Sequence, residues 1–260
     1  MFHAIIQARM GSKRLPGKCL MAYKKITPLY VLCKRLKKVK EVSRIIVATT
    51  KRPEDKKIVN FCKNLNISCF RGSNNNVLNR YFCTAKKFKS KEIIRLTADN
   101  PFIDVRTLIK MINLKKNNNY DYVSNTYPMP CTYPDGSDIE IFDFKTLKKT
   151  YQLAKLPSQK EHVTFYMWQS KLFKKKKIDL NRDYSKIRYT VDTLDDFNLF
   201  SFIIDSFTRK EIFSIGMKKI IKLLLKNKKR TLYQKKLAKN SGWLPSFEKD
   251  KSYIRKFKNF

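Results

Sequence analysis

Histidine, acidic residues and long apolar runs are what this chain lacks. Only His3 and His162 occur, and the six cysteines, at positions 19, 33, 62, 69, 83 and 131, form no CxxC pair. A zinc-type cluster needs several such ligands at short spacing, so none is expected. The thiols read instead as small, reduced core residues of a cytosolic protein. No apolar run reaches the ~18 residues that span a bilayer. Met1 to Ile6 also lacks the charged stretch and apolar core of a signal peptide. A cytoplasmic chain without membrane insertion is therefore expected.

Acidic side chains number 21 against 58 Lys and Arg, a formal net charge of +37 over 260 residues. Such an excess ordinarily points to nucleic acid or an anionic surface. Here it is mostly lysine, spread along the whole chain beside abundant Asn, Ile, Phe and Tyr, as when coding sequence drifts toward AT-rich codons. Nucleic-acid readers concentrate their cations on one element with aromatics between them. Solvated lysine stems account for the charge, and no nucleic-acid partner is expected.

The length suits one α/β domain with a small appendage. Short β-rich runs alternate with helical patterns through the first 125 residues: strands at His3 to Gln7, Arg44 to Thr49, Ile67 to Phe70 and Glu92 to Thr97, with helices between. This βαβαβαβ order predicts a doubly wound, mostly parallel sheet that binds its ligand off the carboxyl ends of the strands. Past Asp121 the rhythm changes. A strand at Asp121 to Asn125, a Pro/Tyr/Gly-rich loop, and a half-solvated strand at Asp138 to Phe144 suggest a small β-rich insertion over about 127–170. Helices are expected at Phe144 to Ala154 and Ser158 to Ser170, a solvated loop at "KKKK" 174–177, a late strand at Lys186 to Val191, and an aromatic helical stripe at Phe197 to Phe207 packed inward. Residues 1–226 form the domain, and 227–260, with Trp243, a lysine-rich tail that docks loosely.

Three places collect polar residues at strand ends. "MGSKRLPGKC", Met10 to Cys19, is close to a P-loop but fails as one: five residues separate Gly11 from Gly17, and Cys19 stands where a metal-binding hydroxyl belongs. Its cations Lys13, Arg14 and Lys18, with Arg9 just before it, still suit a polyphosphate. "TADNP" puts Asp99 just past a strand, where a carboxylate can hold Mg²⁺ together with substrate phosphates or can simply cap a turn. "YTVDTLDDF" repeats the pattern with Asp192, while Thr193 and Asp196 make a helix cap.

Eight stretches in order, "IIQARMGSKRLPGK", "IIVATT", "FRGS", "RLTADNP", "DYVSNT", "YPDGSDIEIF", "EHVT" and "YTVDTLDDF", resemble the cytidylyltransferases of the spore-coat-polysaccharide type. That group is related to 3-deoxy-manno-octulosonate cytidylyltransferases and CMP-sialic acid synthetases, and the resemblance spans about residues 3–210. It implies a Rossmann-like nucleotidyltransferase that moves CMP from CTP to a sugar hydroxyl and releases pyrophosphate for surface polysaccharide synthesis. The matching positions place the triphosphate on Arg9, Gly11, Ser12, Arg14 and Lys18, and the base beside Gln7, Ala8, Ala48, Thr49 and Thr50. Asp99 matches an Mg²⁺-binding acid and Asp192 a second acid near the reacting groups; Arg14 and Lys18 would steady the leaving pyrophosphate. The acceptor would lie near Asn125, Tyr127, Asp135, Glu140 and His162. Arg95 would hold the carboxylate of an acidic 2-keto-3-deoxy sugar or sit in a salt bridge. A homodimer packed through 127–170 is also implied. Two other readings stand beside this one: a sugar-1-phosphate nucleotidylyltransferase, and a non-catalytic binder of nucleic acid or anionic glycan.

Overall fold

The computed structural model describes residues 1–127, 129–236 and 244–258. The chain runs β1 (Phe2–Gln7), α1 (Pro28–Leu36), β2 (Val42–Thr50), α2 (Lys56–Asn64), β3 (Ser68–Gly72), α3 (Val77–Lys87), β4 (Glu92–Thr97) and α4 (Val105–Lys116). It continues through β5 (Tyr122–Ser124), β6 (Glu140–Asp143), α5 (Phe144–Leu153), α6 (Pro157–His162), α7 (Phe165–Gln169) and β7 (Lys175–Lys177). Four helices close it: α8 (Leu194–Asp205), α9 (Arg209–Ile212), α10 (Met217–Lys226) and α11 (Leu244–Lys258). The strands form one seven-stranded sheet in the order β3-β2-β1-β4-β6-β5-β7, parallel except that β6 runs against both neighbours.

The apolar strand runs explain the layering. Successive side chains of a strand point to opposite faces; Ala4 and Ile6 of β1 join one core cluster, while Ile5 joins the other. Both faces are thus buried under helices, as the doubly wound reading expects. Helices start where the sequence supplies a short polar cap. Thr27, Asn76, Asp104, Asp143 and Thr193 each accept the N–H of the residue three further on. The expected Thr193/Asp196 cap of α8 is a reciprocal capping box. Cys19, Cys33 and Cys62 are buried and the other cysteines partly so, all unpaired. No described helix is long and apolar enough to cross a membrane.

The second half departs from expectation in five places. Region 127–170 is not β-rich: its strand β6 belongs to the main sheet, and the described remainder is loop and helix. Because β6 lies between β4 and β5, Ile141 and Phe142 enter opposite core clusters and neither faces solvent. The helix expected over 158–170 is broken into α6 and α7 at Val163, whose φ of +58° is strained for a β-branched residue. Lys175–Lys177 is an edge strand rather than a loop, and the Lys175 ammonium donates to the Trp168 and Ser170 carbonyls at 2.8 Å each; lysine on an edge strand also discourages pairing with another chain.

Residues 186–191 form no sheet strand, since β1 and β6 already occupy both sides of β4. Tyr189 and Val191 instead pack with Phe102 and α8 in a third cluster. The tail is bonded where it is described. Tyr233 and Gln234 reach Asp196 and the Arg188 carbonyl, and α11 lies on α6 through Asp250, which accepts the Ser158 N–H at 2.9 Å. Trp243 falls outside the described residues.

Candidate active site

Parallel pairing brings three strand ends level: Gln7 lies opposite Ala48 on one side and Thr97 on the other. The loop after β1 is closed by its own backbone, with the N–H groups of Ser12 and Gly17 both donating to the Met10 carbonyl at 2.9 and 2.8 Å. Gly17 sits at φ +74°, where other residues are strained. Buried Asp55 staples this loop to β2, accepting from Met10 N at 2.7 Å and from Thr50 N at 3.1 Å, and also from the Thr50 hydroxyl. The loop therefore has a fixed shape. Arg9, Lys13 and Arg14 stand exposed on it, while Leu15 anchors it in the third cluster. Cys19 is buried, its thiol pushed up to about 12 by that burial and donating to the Arg9 carbonyl at 3.7 Å.

Lys18 points from this loop at two acids from elsewhere in the chain. Its Nζ lies 2.6 Å from Asp99 Oδ2 and 2.5 Å from Asp192 Oδ1. The acids' segments are locked together as well: the Asp99 carbonyl accepts from Val191 N at 2.8 Å and from the Thr190 hydroxyl at 3.1 Å. Arg14 and Arg188 reach the other oxygen of Asp192, at 3.0 and 2.8 Å. Burial alone would lower the Lys18 ammonium's pKa, but the two carboxylates outweigh it and raise it. Burial likewise opposes the charge on Asp192; Lys18, Arg188 and Arg14 prevail and hold its carboxyl well below the usual range.

The residues expected around an acceptor divide into two groups. Asn125 is fully buried and serves the fold, its amide donating to the Ser137 carbonyl and accepting from Ile139 N. Arg95 and Glu140 are cross-strand partners that form a buried salt bridge, with the Tyr122 hydroxyl also on Glu140. The Arg95 Nε remains buried with no hydrogen-bond partner, and Gln7 is within 3.4 Å of its NH2.

Tyr127 stacks on Trp168 at 5.7 Å and meets Phe165 edge-on at 5.6 Å. His162 stacks on Phe165 at 4.6 Å and bonds Ser246 of α11 through Nε2 at 2.9 Å; burial pulls its imidazole down to about 4. Asp135 belongs to the strand-end cluster, since it pairs with Arg188. Its neighbour Gly136 has φ +104°, and a Cβ there would stand 2.5 Å from Thr190 N. The loop therefore lies flat against the segment that ends in Asp192.

Four participants escaped the sequence reading. Asp55 looked like part of a helix opening, Arg188 like strand, and Ser246 like tail. Asp138 sits inside "YPDGSDIEIF", accepts from the Thr126 hydroxyl at 3.1 Å and the Asn100 amide at 3.3 Å, and is raised to about 7 by burial and by Asp135.

A divalent ion fits the strand-end cluster. Among the described residues no group of three or more His, Cys, Asp or Glu could hold a metal, yet Mg²⁺ is commonly bound by one or two carboxylates with phosphates completing its shell. Asp99 and Asp192 already converge on one cation, the Lys18 ammonium.

A mostly parallel sheet under helices, with a rigid cationic loop after its first strand facing paired acids at two later segment ends, is the arrangement of a nucleotidyltransferase. The cytidylyltransferase family model matches residues 3–239, and the chain belongs to that family. It is 34% identical over 170 residues to the spore coat polysaccharide biosynthesis protein SpsF of Bacillus subtilis, covering 63% of this chain and 68% of that protein. A solved cytidylyltransferase from Leptospira borgpetersenii is 34% identical, with a TM-score of 0.82 over 88% of this chain and 95% of that one. A CMP:2-keto-3-deoxy-manno-octonic acid synthetase solved with CTP shares the fold at 17% identity and a TM-score of 0.61, covering 79% of this chain and 98% of that one. The chain is therefore an enzyme, and the non-catalytic reading is set aside.

Proposed function

We propose that this enzyme transfers CMP from CTP to a sugar hydroxyl in a Mg²⁺-dependent reaction that releases pyrophosphate, and that it serves surface-polysaccharide synthesis in the cytoplasm as a homodimer. The observation that carries this reading is the single ammonium of Lys18 held between Asp99 and Asp192. In-line attack at the α-phosphorus builds negative charge on the non-bridging and leaving oxygens, so the site needs fixed cations more than a strong nucleophile. Arg14 and Lys18 supply those cations beside the leaving pyrophosphate, with Arg9, Gly11 and Ser12 along the triphosphate. Gln7, Ala8 and Ala48 to Thr50 line the base.

Asp99 and Asp192 would hold the Mg²⁺, which supplies charge neutralisation on phosphate oxygens and acidifies the attacking hydroxyl. A bound triphosphate competes for the Lys18 ammonium and so releases both carboxylates. On the acceptor side, Tyr127, Asp135 and His162 flank the sugar. The acidic 2-keto-3-deoxy acceptor rests on the resemblance, and its carboxylate competes with Glu140 for Arg95.

The test is pyrophosphate release by the purified protein with each of the four NTPs, MgCl₂ and a panel of sugars and sugar-1-phosphates. CTP-specific release with a free sugar is expected. Release only with a sugar-1-phosphate overturns the hydroxyl acceptor.

A further inference from the structure

We propose that Arg188 is the positioning residue of this site: it grips one oxygen of Asp192 so that the other stays turned toward the cation position. This rests on the reading of Asp192 given above and assigns a role to a side chain outside it. Arg188 NH2 donates to Asp192 Oδ2 at 2.8 Å, while Lys18 takes Oδ1 at 2.5 Å. The two oxygens are therefore not equivalent. Arg14 also reaches Oδ2, but its side chain is 43% exposed against 16% for Arg188, so Arg188 is the fixed partner.

Its own place is over-determined. Nε and NH2 fork onto Asp196 at 3.3 and 3.0 Å, NH1 pairs with Asp135, and the Arg188 carbonyl accepts from Gln234 Nε2 at 2.8 Å. Asp196 is in turn fixed by the N–H groups of Asp192 and Thr193 at 3.0 Å each and by the Tyr233 hydroxyl at 2.9 Å. The loop holding Asp135 is laced to the same segment by Asp135 N to the Ile187 carbonyl at 3.0 Å and Tyr189 N to the Asp135 carbonyl at 2.9 Å.

A residue that only capped α8 would need Asp196 alone, and Thr193 already completes that cap. The planar guanidinium, with donors in a rigid fork, is what joins Asp135, Asp192 and Asp196. Lysine presents a single point charge and cannot reproduce the joint grip.

The test measures CTP binding by calorimetry, with and without MnCl₂, and bound Mn²⁺ by electron paramagnetic resonance, for the wild type, Arg188→Ala and Arg188→Lys. Removing a group that orients a metal-facing carboxylate lowers metal affinity about 10–100-fold. In Arg188→Ala the strengthening of CTP binding by Mn²⁺ should fall by that order, metal-free CTP affinity should hold, and Arg188→Lys should fall between. If the alanine variant does not fold, the lysine variant carries the comparison against the wild type. An unchanged Mn²⁺ gain in folded variants, or equal losses with and without metal, overturns the positioning role. A wild type that binds CTP neither way overturns the underlying reading instead, and so separates the two failures.

Discussion

The proposed nucleotide side of this enzyme and its proposed acceptor side are built by different rules. On the nucleotide side, β1, β2 and β4 run parallel in register, and the proposed site residues lie at or just past their ends: Arg14 and Lys18 after β1, Thr49 and Thr50 closing β2, and Asp99 after β4. Arg14 stands exposed and Lys18 and Asp99 half-buried, while Thr49 and Thr50 are buried and Thr50 is bonded to Asp55. On the acceptor side, Asn125, Glu140 and Arg95 are buried and spend their polar groups on one another and on the backbone. Substitutions on the first side should therefore remove rate from a chain that still folds, whereas those on the second should remove stability first.

The largest effect expected is at Lys18. Lys18→Ala should lower the rate of pyrophosphate release by about 10²–10³-fold. The variant should still fold, because the loop is held by Met10, Gly17 and Asp55, but its denaturation midpoint should drop as Asp99 and Asp192 lose their shared ammonium. A collapse of the fold in this variant would break the comparison.

Glu140→Gln tests the other side. It leaves the Arg95 charge buried without its partner, and loss of one member of such a pair costs about 3–5 kcal/mol. Urea denaturation should register that loss. A stable but inactive variant would move Glu140 into the chemistry.

His162 gives the same side a pH signature. Its imidazole is held near 4 in the fold by burial, against an ordinary 6.5. The unfolded chain therefore takes up the proton first as pH falls, and the stability present above pH 6.5 is lost on the way down toward 4. His162→Gln should flatten this part of the stability–pH curve by about 1–3 kcal/mol. An unchanged slope would mean that His162 is not the buried group responsible.

The smallest effect sharpens the comparison from within the nucleotide side. Asn76 caps α3 by accepting Asn79 N at 2.8 Å. Asn76→Ala should cost about 1 kcal/mol of stability and leave the rate unchanged. A rate loss would place the loop after β3 in the site.

What could be read from the sequence follows the same division. The strands and the candidates Lys18, Asp99 and Asp192 were legible because each lies next to its own apolar run, in a local pattern that period and spacing reveal. Arg188, Asp55, Asp138 and Ser246 were not, because each is tied to the site in part by a residue far along the chain, 53 residues from Arg188 to Asp135, 45 from Asp55 to Met10, 38 from Asp138 to Asn100 and 84 from Ser246 to His162, and the nearer partners of Arg188 and Asp55 give no period or motif. An acid or cation whose role is set by such a distance carries no local sign of it.

The misread segments have the same origin. Lys175–Lys177 becomes a strand only because β5 offers an edge, and the alternating run at 186–191 stays out of the sheet only because β1 and β6 flank β4. Sheet order decides both, and local pattern does not contain it. Asp138 had one usable sign: a second acid three residues after Asp135 in a glycine-containing loop.

At the centre of the proposed function, the segment ends that meet at Lys18 form a metal-assisted transfer centre. The most direct measurement is Mg²⁺-dependent pyrophosphate release from CTP by Asp99→Ala, with folding confirmed by circular dichroism. The rate should fall on the order of 10²-fold or more. Turnover at the wild-type rate, with the same dependence on Mg²⁺, would contradict it.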